Sequence, residues 1–335
     1  MRTGLLVMLM VSFMLVGNTE AATVAMKAVH YFDDVHAWNR GFLKFKEVIE
    51  AKSNKSLELT IYNKGVLGSE KDYIQDLMEG TMDLSAVSLS SAGTLAPEMN
   101  FLDIPFIFDD PDHWLRAMDG PAGKSFAEIF ERVTGRGDKP GVRILGYWAG
   151  TNYRHVLSRK RCYSTLSELA GMKLRLRESA AQIEMWKLLG VIPSVVAYQE
   201  TYNAIQTGVV DGLENEMVHA FNMKFYEVAP YVTMTGHAIS VVPFIMSGQT
   251  WKKLTHQQQQ IVVEAAAEAT EVARRLEHEQ DEEAANLMRT KFGVQFCPFN
   301  ERQQMIEKTK TVRQRIATEL HMTDVFNLIE AAKKR

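Results

Sequence analysis

The segment from residue 171 to residue 216 passes directly from a strand pattern to a helix pattern and reads GMKLRLRESAAQIEMWKLLGVIPSVVAYQETYNAIQTGVVDGLENE. Lys173 to Leu176 alternates polar and apolar residues, as a short strand does. Ser179 and Gln182 have the spacing of a capping box, which predicts a helix soon after that strand. In open α/β sheets, ligands bind at the carboxyl edge of such strands. Arg175 stands at that edge, where the helix N-terminus adds positive potential.

The N-terminal part of the chain shows the same alternation of strands and helices. Strand-like runs of apolar residues are separated by runs in which the apolar residues recur at helical spacing. We predict strands at Val24–Tyr31, Leu57–Tyr62 and Met82–Val87, and helices at Ala37–Lys52 and Glu70–Glu79. This alternation favours an α/β fold, in which helices flank a parallel or mixed sheet on both faces.

A run without proline or glycine extends from Thr255 to about Lys291 and is closed by Gly293. It predicts one very long helix or two consecutive helices. A coiled-coil arm is an alternative, but the apolar residues do not sustain a heptad seam. We interpret the acidic cluster at Glu277 to Glu283 as a solvated face rather than a cation site.

The composition is that of a globular protein, with 46% apolar residues, 24% charged residues and a formal net charge of −3. This balance gives no electrostatic footprint for nucleic acid or for an anionic membrane surface. The chain is longer than one hydrophobic core usually serves, so two lobes are expected.

Residues 1–22 have the pattern of a secretory signal peptide. Arg2 is basic, Leu5 to Val16 is apolar, and Ala21 and Ala22 are small enough for a cleavage site. The apolar core is too short to span a bilayer. We therefore expect a soluble protein that is exported to the periplasm.

The sequence contains two cysteines, Cys162 and Cys297. In an oxidising compartment they could form one disulfide, but the simpler interpretation is two separate, partly buried thiols. Neither cysteine has a second ligand at a spacing typical of zinc sites, so no metal site is predicted.

Several motifs together resemble the periplasmic solute-binding subunits of TRAP transporters, the DctP family. The family pattern has a GLKIR-like strand, a GA.P turn, an aromatic residue before E.Y.A.Q.G, a VDG.EN turn, and two upstream blocks. The corresponding stretches here are Gly171 to Arg175, Gly190 to Pro193, Tyr198 to Gly208, Val210 to Asn215, Gly65 to Ser85, and Phe101 to Gly123. The resemblance covers essentially the whole chain after the signal peptide.

This resemblance implies a two-lobed periplasmic binding protein fold of the type II-like kind, with mixed sheets flanked by helices and a long helix bridging both lobes. The implied boundaries are residues 23–146 and 238–254 for lobe I, 147–237 for lobe II, 255–292 for the long helix, and 293–335 for C-terminal helices that pack on the lobes.

The resemblance also implies which side chains bind the ligand. Arg175 matches the arginine that forms a bidentate salt bridge with the ligand's carboxylate, a role that suits a planar guanidinium. Asn215 matches a ligand-contacting asparagine, and Tyr198 matches an aromatic that walls the pocket. Arg154 is a second cation candidate, with Arg159 and Arg161 as competitors. Arg177 and Lys173 are expected to face solvent.

Polar residues of the first lobe complete the expected site. Glu70 matches an acidic residue that accepts hydrogen bonds from ligand hydroxyls, although a glutamate at a helix start can also be only a capping charge. Ser88 and Ser91 follow the third predicted strand, and His30 lies near the end of the first. These side chains favour a hydroxylated acid, such as a uronate, over a simple dicarboxylate.

The implied function is transport without catalysis or a cofactor. A monomer would close on a small carboxylate and deliver it to the membrane subunits of the transporter. A protein that presents its ligand to a membrane kinase is an alternative, and a secreted α/β enzyme is another. The stretch GPAGKS resembles a phosphate loop, but Met118 occupies the position of its first glycine.

Overall fold

The computed structural model describes residues 23–333. The predicted signal peptide therefore lies outside the described residues. The strands are β1 (Val24–Val29), β2 (Leu57–Tyr62), β3 (Leu84–Ala86), β4 (Arg143–Tyr147), β5 (Tyr153–Ser158), β6 (Lys173–Leu176), β7 (Ile192–Val195), β8 (Gly212–Asn215), β9 (Tyr231–Ile239), β10 (Pro243–Met246) and β11 (Gln295–Pro298).

The helices separate and flank these strands. They are α1 (Ala37–Lys52), α2 (Glu70–Glu79), α3 (Leu89–Gly93), α4 (Pro111–Met118), α5 (Pro121–Thr134), α6 (Leu166–Leu169), α7 (Ala180–Leu188), α8 (Thr201–Gln206), α9 (Met217–Asn222), α10 (Phe225–Val228), α11 (Gly248–Lys253), α12 (His256–Thr290), α13 (Arg302–Glu319) and α14 (Thr323–Ala331), with 3₁₀ helices at Pro97–Asp103 and Tyr198–Glu200. None of the helices in the described part of the chain is long and apolar enough to cross a membrane.

The strands form two mixed sheets. The five-stranded sheet has the order β2-β1-β3-β10-β4, and the six-stranded sheet has the order β11-β9-β5-β8-β6-β7. In the first, β1, β2 and β3 are parallel and β10 is antiparallel to its neighbours. The chain enters the six-stranded sheet after β4 and returns after β9. The mixed α/β fold expected from the sequence is confirmed.

Local capping signals explain why several elements begin where the sequence predicts. The Ser69 side chain caps α2 in a capping box with Asp72, and Thr255 and Gln258 form another at the start of α12. The predicted bounds of α1, β2 and α2 are confirmed. At the other capping signal, Ser179 accepts a hydrogen bond from the Gln182 backbone at the start of α7.

The long run near the C-terminus forms one helix, α12, rather than two. Its first half packs Val262 and Ala265 into the core of the five-stranded sheet, together with Phe42 of α1. Its second half packs Met288 into a core of the six-stranded sheet. A Cβ on Gly41 of α1 would lie 3.0 Å from Trp148 and 3.1 Å from Ala273, so glycine permits this close helix contact. The helix therefore bridges both sheets.

The structure also contains features that the sequence analysis did not anticipate. Strand β11 pairs in parallel with β9 at the edge of the six-stranded sheet. Cys297 on β11 forms a disulfide with Cys162, so the interpretation as two separate thiols is wrong. The reason is that β11 brings two cysteines together that are 135 residues apart in sequence. The lobe boundaries stay a prediction, and β9 extends to Ile239, just past the expected return at residue 238.

Candidate functional site

A cavity of about 370 Å³ opens between the two sheets, and we call it the cleft. It lies at the carboxyl ends of β1, β3, β6 and β8, where the chain turns from strand into helix. Seven of the eight residues expected at the site line it: Glu70, Ser88, Ser91, Arg154, Arg175, Tyr198 and Asn215. The topology thus brings together residues at or just after the ends of β3, β6, β7 and β8, together with Glu70 at the start of α2 and Arg154 near the start of β5.

His30, the eighth residue, does not line the cleft. Its side chain is fully buried, bonds Asn39 through Nε2, and stacks on Phe42 with ring centroids 5.3 Å apart. Burial lowers the pKa of His30 to about 4. Because it is buried, His30 is a neutral core residue, and the next residue, Tyr31, lines the cleft instead.

Arg175 presents an incompletely bonded guanidinium to the cleft. It is 3% exposed, and its Nε donates to the carbonyl of Val196 at 2.9 Å. Within residues 23–333, its two Nη groups have no hydrogen-bond acceptor and no carboxylate in ion-pair contact. Burial lowers the pKa of Arg175 to about 10, which leaves it charged at neutral pH. The group can therefore receive an anion.

Aromatic and amide groups surround that guanidinium. Its central carbon lies 5.6 Å from the centroid of the Tyr198 ring, within cation–π range. The Asn215 side chain donates to the Tyr198 hydroxyl at 3.5 Å. Tyr198 also meets Tyr31 edge to face at 6.2 Å, across from the other sheet. These contacts fix the wall beside Arg175.

Arg154 lines the cleft but gives every N–H of its guanidinium to the protein. Nε donates to one oxygen of the Glu214 carboxylate. Nη2 donates to the other carboxylate oxygen and also to the backbone carbonyl of Glu214. Nη1 donates to Glu216 at 3.3 Å and to Ser240 at 3.2 Å. Burial alone would raise the pKa of Glu214, but Arg154 and a hydrogen bond from His237 hold it well below its usual range. Arg154 therefore positions neighbouring carboxylates.

The competitors of Arg154 lie elsewhere. Arg159 approaches Gly208, with its guanidinium 2.9 Å from where a Cβ would stand there. Arg161 lies over the Tyr163 ring at 5.2 Å. Neither lines the cleft. Of the three upstream arginines considered, only Arg154 reaches it.

Glu70 and two serines form a polar wall on the opposite side. The Glu70 carboxylate accepts the Ser88 N–H at 2.7 Å, the Ser88 hydroxyl at 2.6 Å and the Ser91 hydroxyl at 2.7 Å. Because both serine hydroxyls spend their hydrogens on Glu70, they can offer only lone pairs to a ligand. This wall is thus rich in acceptors.

Several residues that line the cleft were missed from the sequence, among them Arg177, Glu216 and His219. The expectation that Arg177 faces solvent is wrong, because it lies two residues beyond Arg175, on the side that strand alternation gives to Arg175, and both line the cleft. Lys173 is exposed, as expected. Glu216 follows the GLEN turn, and no local pattern marks it.

His219 joins the cleft to a buried cluster beneath it. Its Nε2 lies 3.2 Å from Glu216 and 3.1 Å from Glu277 of α12. Burial lowers the pKa of His219, but the two carboxylates outweigh this and raise it overall. Glu277 is 2% exposed, so the interpretation of the acidic cluster as a solvated face is wrong for this residue. Burial also raises its pKa.

His36, His219 and Glu277 place potential metal-ligand atoms within 4.8 Å of one another. The Nδ1 atom of His36 accepts the backbone N–H of Trp38 as the cap of α1. A neutral His36 then carries its proton on Nε2, which leaves that nitrogen no lone pair for a metal. In this tautomer His36 is not available as a metal ligand, and its Nε2 has no hydrogen-bond acceptor among the described residues.

The chain passes between two sheets after β4 and again after β9, and one long helix packs on both. This arrangement, with a cleft between the sheets, is that of the two-lobed binding proteins. The family model for bacterial extracellular solute-binding protein, family 7 (DctP) matches residues 28–320. A solute-binding protein of Sulfitobacter sp. strain NAS-14.1 is 33% identical over 314 residues, which cover 93% of each chain. The chain belongs to this solute-binding family, and the resemblance stated from the sequence is confirmed.

Solved structures agree with the assignment. A TRAP periplasmic solute-binding protein from Sulfitobacter sp. NAS-14.1 with bound α-D-taluronate is 32% identical, with a TM-score of 0.84 over 94% of this chain and 98% of the other. Another from the same source, with bound β-D-galacturonate, is 26% identical, with a TM-score of 0.84 over 92% of this chain and all of the other. The chain is thus a solute-binding protein of the TRAP type, and its relatives are binding proteins rather than enzymes.

Proposed function

We propose that the protein binds a small hydroxylated organic acid, of the sugar-acid class, in the cleft and delivers it to the membrane subunits of a TRAP transporter. One observation carries the proposal. Arg175 is a nearly fully buried cation that has no ion-pair partner among the described residues, and its free N–H groups line the cleft.

A buried charge without a partner is costly, by several kcal/mol per ion. A ligand carboxylate would remove that cost and would take two parallel N–H bonds from the guanidinium fork. Tyr198 and Asn215 would hold the fork in place while the acid binds. An acid group is therefore the expected anchor of the ligand.

The carboxylates and serines of the cleft favour hydroxyls on the rest of the ligand. Glu70 and Glu216 are carboxylates, and Ser88 and Ser91 have already donated their hydroxyl hydrogens. Such a wall attracts ligand O–H donors and repels a second carboxylate. The uronates bound by the two Sulfitobacter proteins are acids of this kind, which supports a sugar acid over a simple dicarboxylate.

Closure on the ligand follows from the placement of these groups on both sheets. A ligand would bind Arg175 on one side of the cleft and the Glu70 wall on the other. Since only the closed state provides both sets of contacts, the ligand binds that state more tightly and stabilises it. Residues 23–146 with 238–254 and residues 147–237 would move as the two lobes. We also propose that the protein is exported to the periplasm with cleavage of residues 1–22. There it acts as a monomer and catalyses no reaction.

A thermal-shift panel tests the proposal. The acids are D-galacturonate, D-glucuronate, D-galactonate and succinate, and neutral D-galactose is the control that lacks the acid group. A ligand at 100 times its Kd stabilises a protein by about 2.7 kcal/mol, which raises Tm measurably. We expect shifts with the hydroxylated acids and none with galactose. Stabilisation by succinate alone, or by none of the acids, would contradict the proposal.

A further inference from the structure

Arg177 lies two residues beyond Arg175 and also lines the cleft. Its side chain is 16% exposed. The one side-chain hydrogen bond that it makes within residues 23–333 runs from Nη2 to Oδ1 of Asp103, at 3.3 Å. Its Nε is buried and has no acceptor. Most of this guanidinium's hydrogens are therefore unused.

Arg154 and Arg177 differ in how many N–H groups they have left to donate to a ligand. All five N–H groups of Arg154 bond protein oxygens, whereas Arg177 uses one. A buried donor without an acceptor is costly, so an added ligand oxygen gains more at Arg177 than at Arg154. Among the cleft cations that are shielded from solvent, the spare donors thus belong to Arg175 and Arg177, whereas Lys71, which also lines the cleft, is exposed.

Asp103 gives Arg177 a second connection, to the other side of the cleft. Asp103 ends a 3₁₀ helix whose Phe101 and Leu102 pack in the core that contains Tyr73 of α2. The ion pair therefore links the end of β6 to the elements around the five-stranded sheet. Burial raises the pKa of Asp103, which the nearby Arg177 opposes. Arg177 could act as a strut between the two sides or as a ligand contact.

We infer that Arg177, rather than Arg154, is the second ligand-contacting guanidinium and a specificity-determining residue. It donates to an acceptor oxygen beside the acid group that Arg175 holds, such as a ring oxygen or a 2-hydroxyl, while Asp103 orients it. The inference rests on the proposed function. It narrows the ligand class to acids with an oxygen next to the carboxyl-bearing carbon, which sugar acids have and succinate lacks.

Two variants separate the ligand contact from the strut. Arg177→Gln removes the guanidinium, while Asp103→Asn removes only its carboxylate partner and keeps a side chain of the same shape. Arg159→Gln removes a guanidinium outside the cleft and serves as the matched control. Calorimetric titration with D-galacturonate and D-galactonate gives Kd for each variant, and thermal unfolding without ligand confirms that each is folded.

We expect Arg177→Gln to weaken binding at least tenfold, with Asp103→Asn and Arg159→Gln within threefold of the unmodified protein. Equal weakening in the Arg177 and Asp103 variants would show a strut, and unchanged binding in Arg177→Gln would show a bystander; either result overturns the inference. If the unmodified protein binds neither acid, the proposed function fails and this inference fails with it.

Discussion

Arg154 and Glu214 form a two-pronged ion pair that is sealed from solvent, with side chains 5% and 0% exposed. It joins adjacent strands β5 and β8 directly beneath the cleft. The ion pair orders the floor of the site, because Glu214 precedes Asn215 and Arg154 also reaches Glu216. A conspicuous arginine at a binding site can thus be committed to the protein itself.

Replacing Glu214 by Gln should destabilise the protein by about 3–5 kcal/mol, because it leaves Arg154 as a buried charge without its main partner. Urea unfolding at pH 7 measures the change. The matched control is Glu279→Gln, which breaks the exposed pair with Arg275 and should cost less than about 1 kcal/mol. If both substitutions lower the free energy of unfolding equally, the buried ion pair contributes no more to stability than the exposed one.

Asp281 of α12 should make stability depend on pH. Its Oδ1 accepts the Val218 N–H at 2.8 Å, and burial raises its pKa from 3.8 to about 7. The folded state therefore keeps a proton that the unfolded state loses, so stability from this group falls as pH rises from about 4 to about 7. Asp281→Asn mimics the protonated form.

We expect Asp281→Asn to be more stable than the unmodified protein by about 1–2 kcal/mol at pH 8, and by little at pH 4. Urea unfolding at both pH values gives the difference. The control Glu283→Gln changes an exposed carboxylate on the same helix and should show no such dependence. A difference that is the same at pH 4 and pH 8 would exclude Asp281 as its source.

The Cys162–Cys297 disulfide should contribute about 2–5 kcal/mol, since it closes a long loop in the unfolded chain. Urea unfolding of the double variant Cys162→Ser, Cys297→Ser measures this contribution. A thiol reductant should lower the stability of the unmodified protein towards that of the variant and leave the variant unchanged. If the oxidised protein and the double variant unfold at the same urea concentration, the bond does not stabilise the fold.

Elements with local signals could be predicted from the sequence. The serine before α2 and the threonine before α12 fix helix starts through short-range hydrogen bonds, and strand alternation marks β2. Strand β11 has no such signal, because its place depends on pairing with β9, some sixty residues earlier in the chain. The disulfide was missed for the same reason.

The site was predicted in part because the strand ends that carry it are adjacent to recognisable turns. His30 was placed at the site by its position near a strand end, yet its ring turns inward against Phe42. Arg177 was expected in solvent, although it lies two residues beyond Arg175 and lines the cleft with it. The roles of Arg154 and Glu216 depend on partners distant in sequence, which no local pattern reveals.

Calorimetric titration of the Arg175→Ala variant with the sugar acid that most stabilises the unmodified protein tests the central claim most directly. We predict that binding weakens by about 30-fold or more, since a charge-assisted pair worth about 2–5 kcal/mol is lost. The ligand-free Tm should fall little, because the variant loses the hydrogen bond to Val196 and the contact with Tyr198 but also removes a buried charge that has no ion-pair partner within residues 23–333. An affinity within threefold of the unmodified protein would contradict the account.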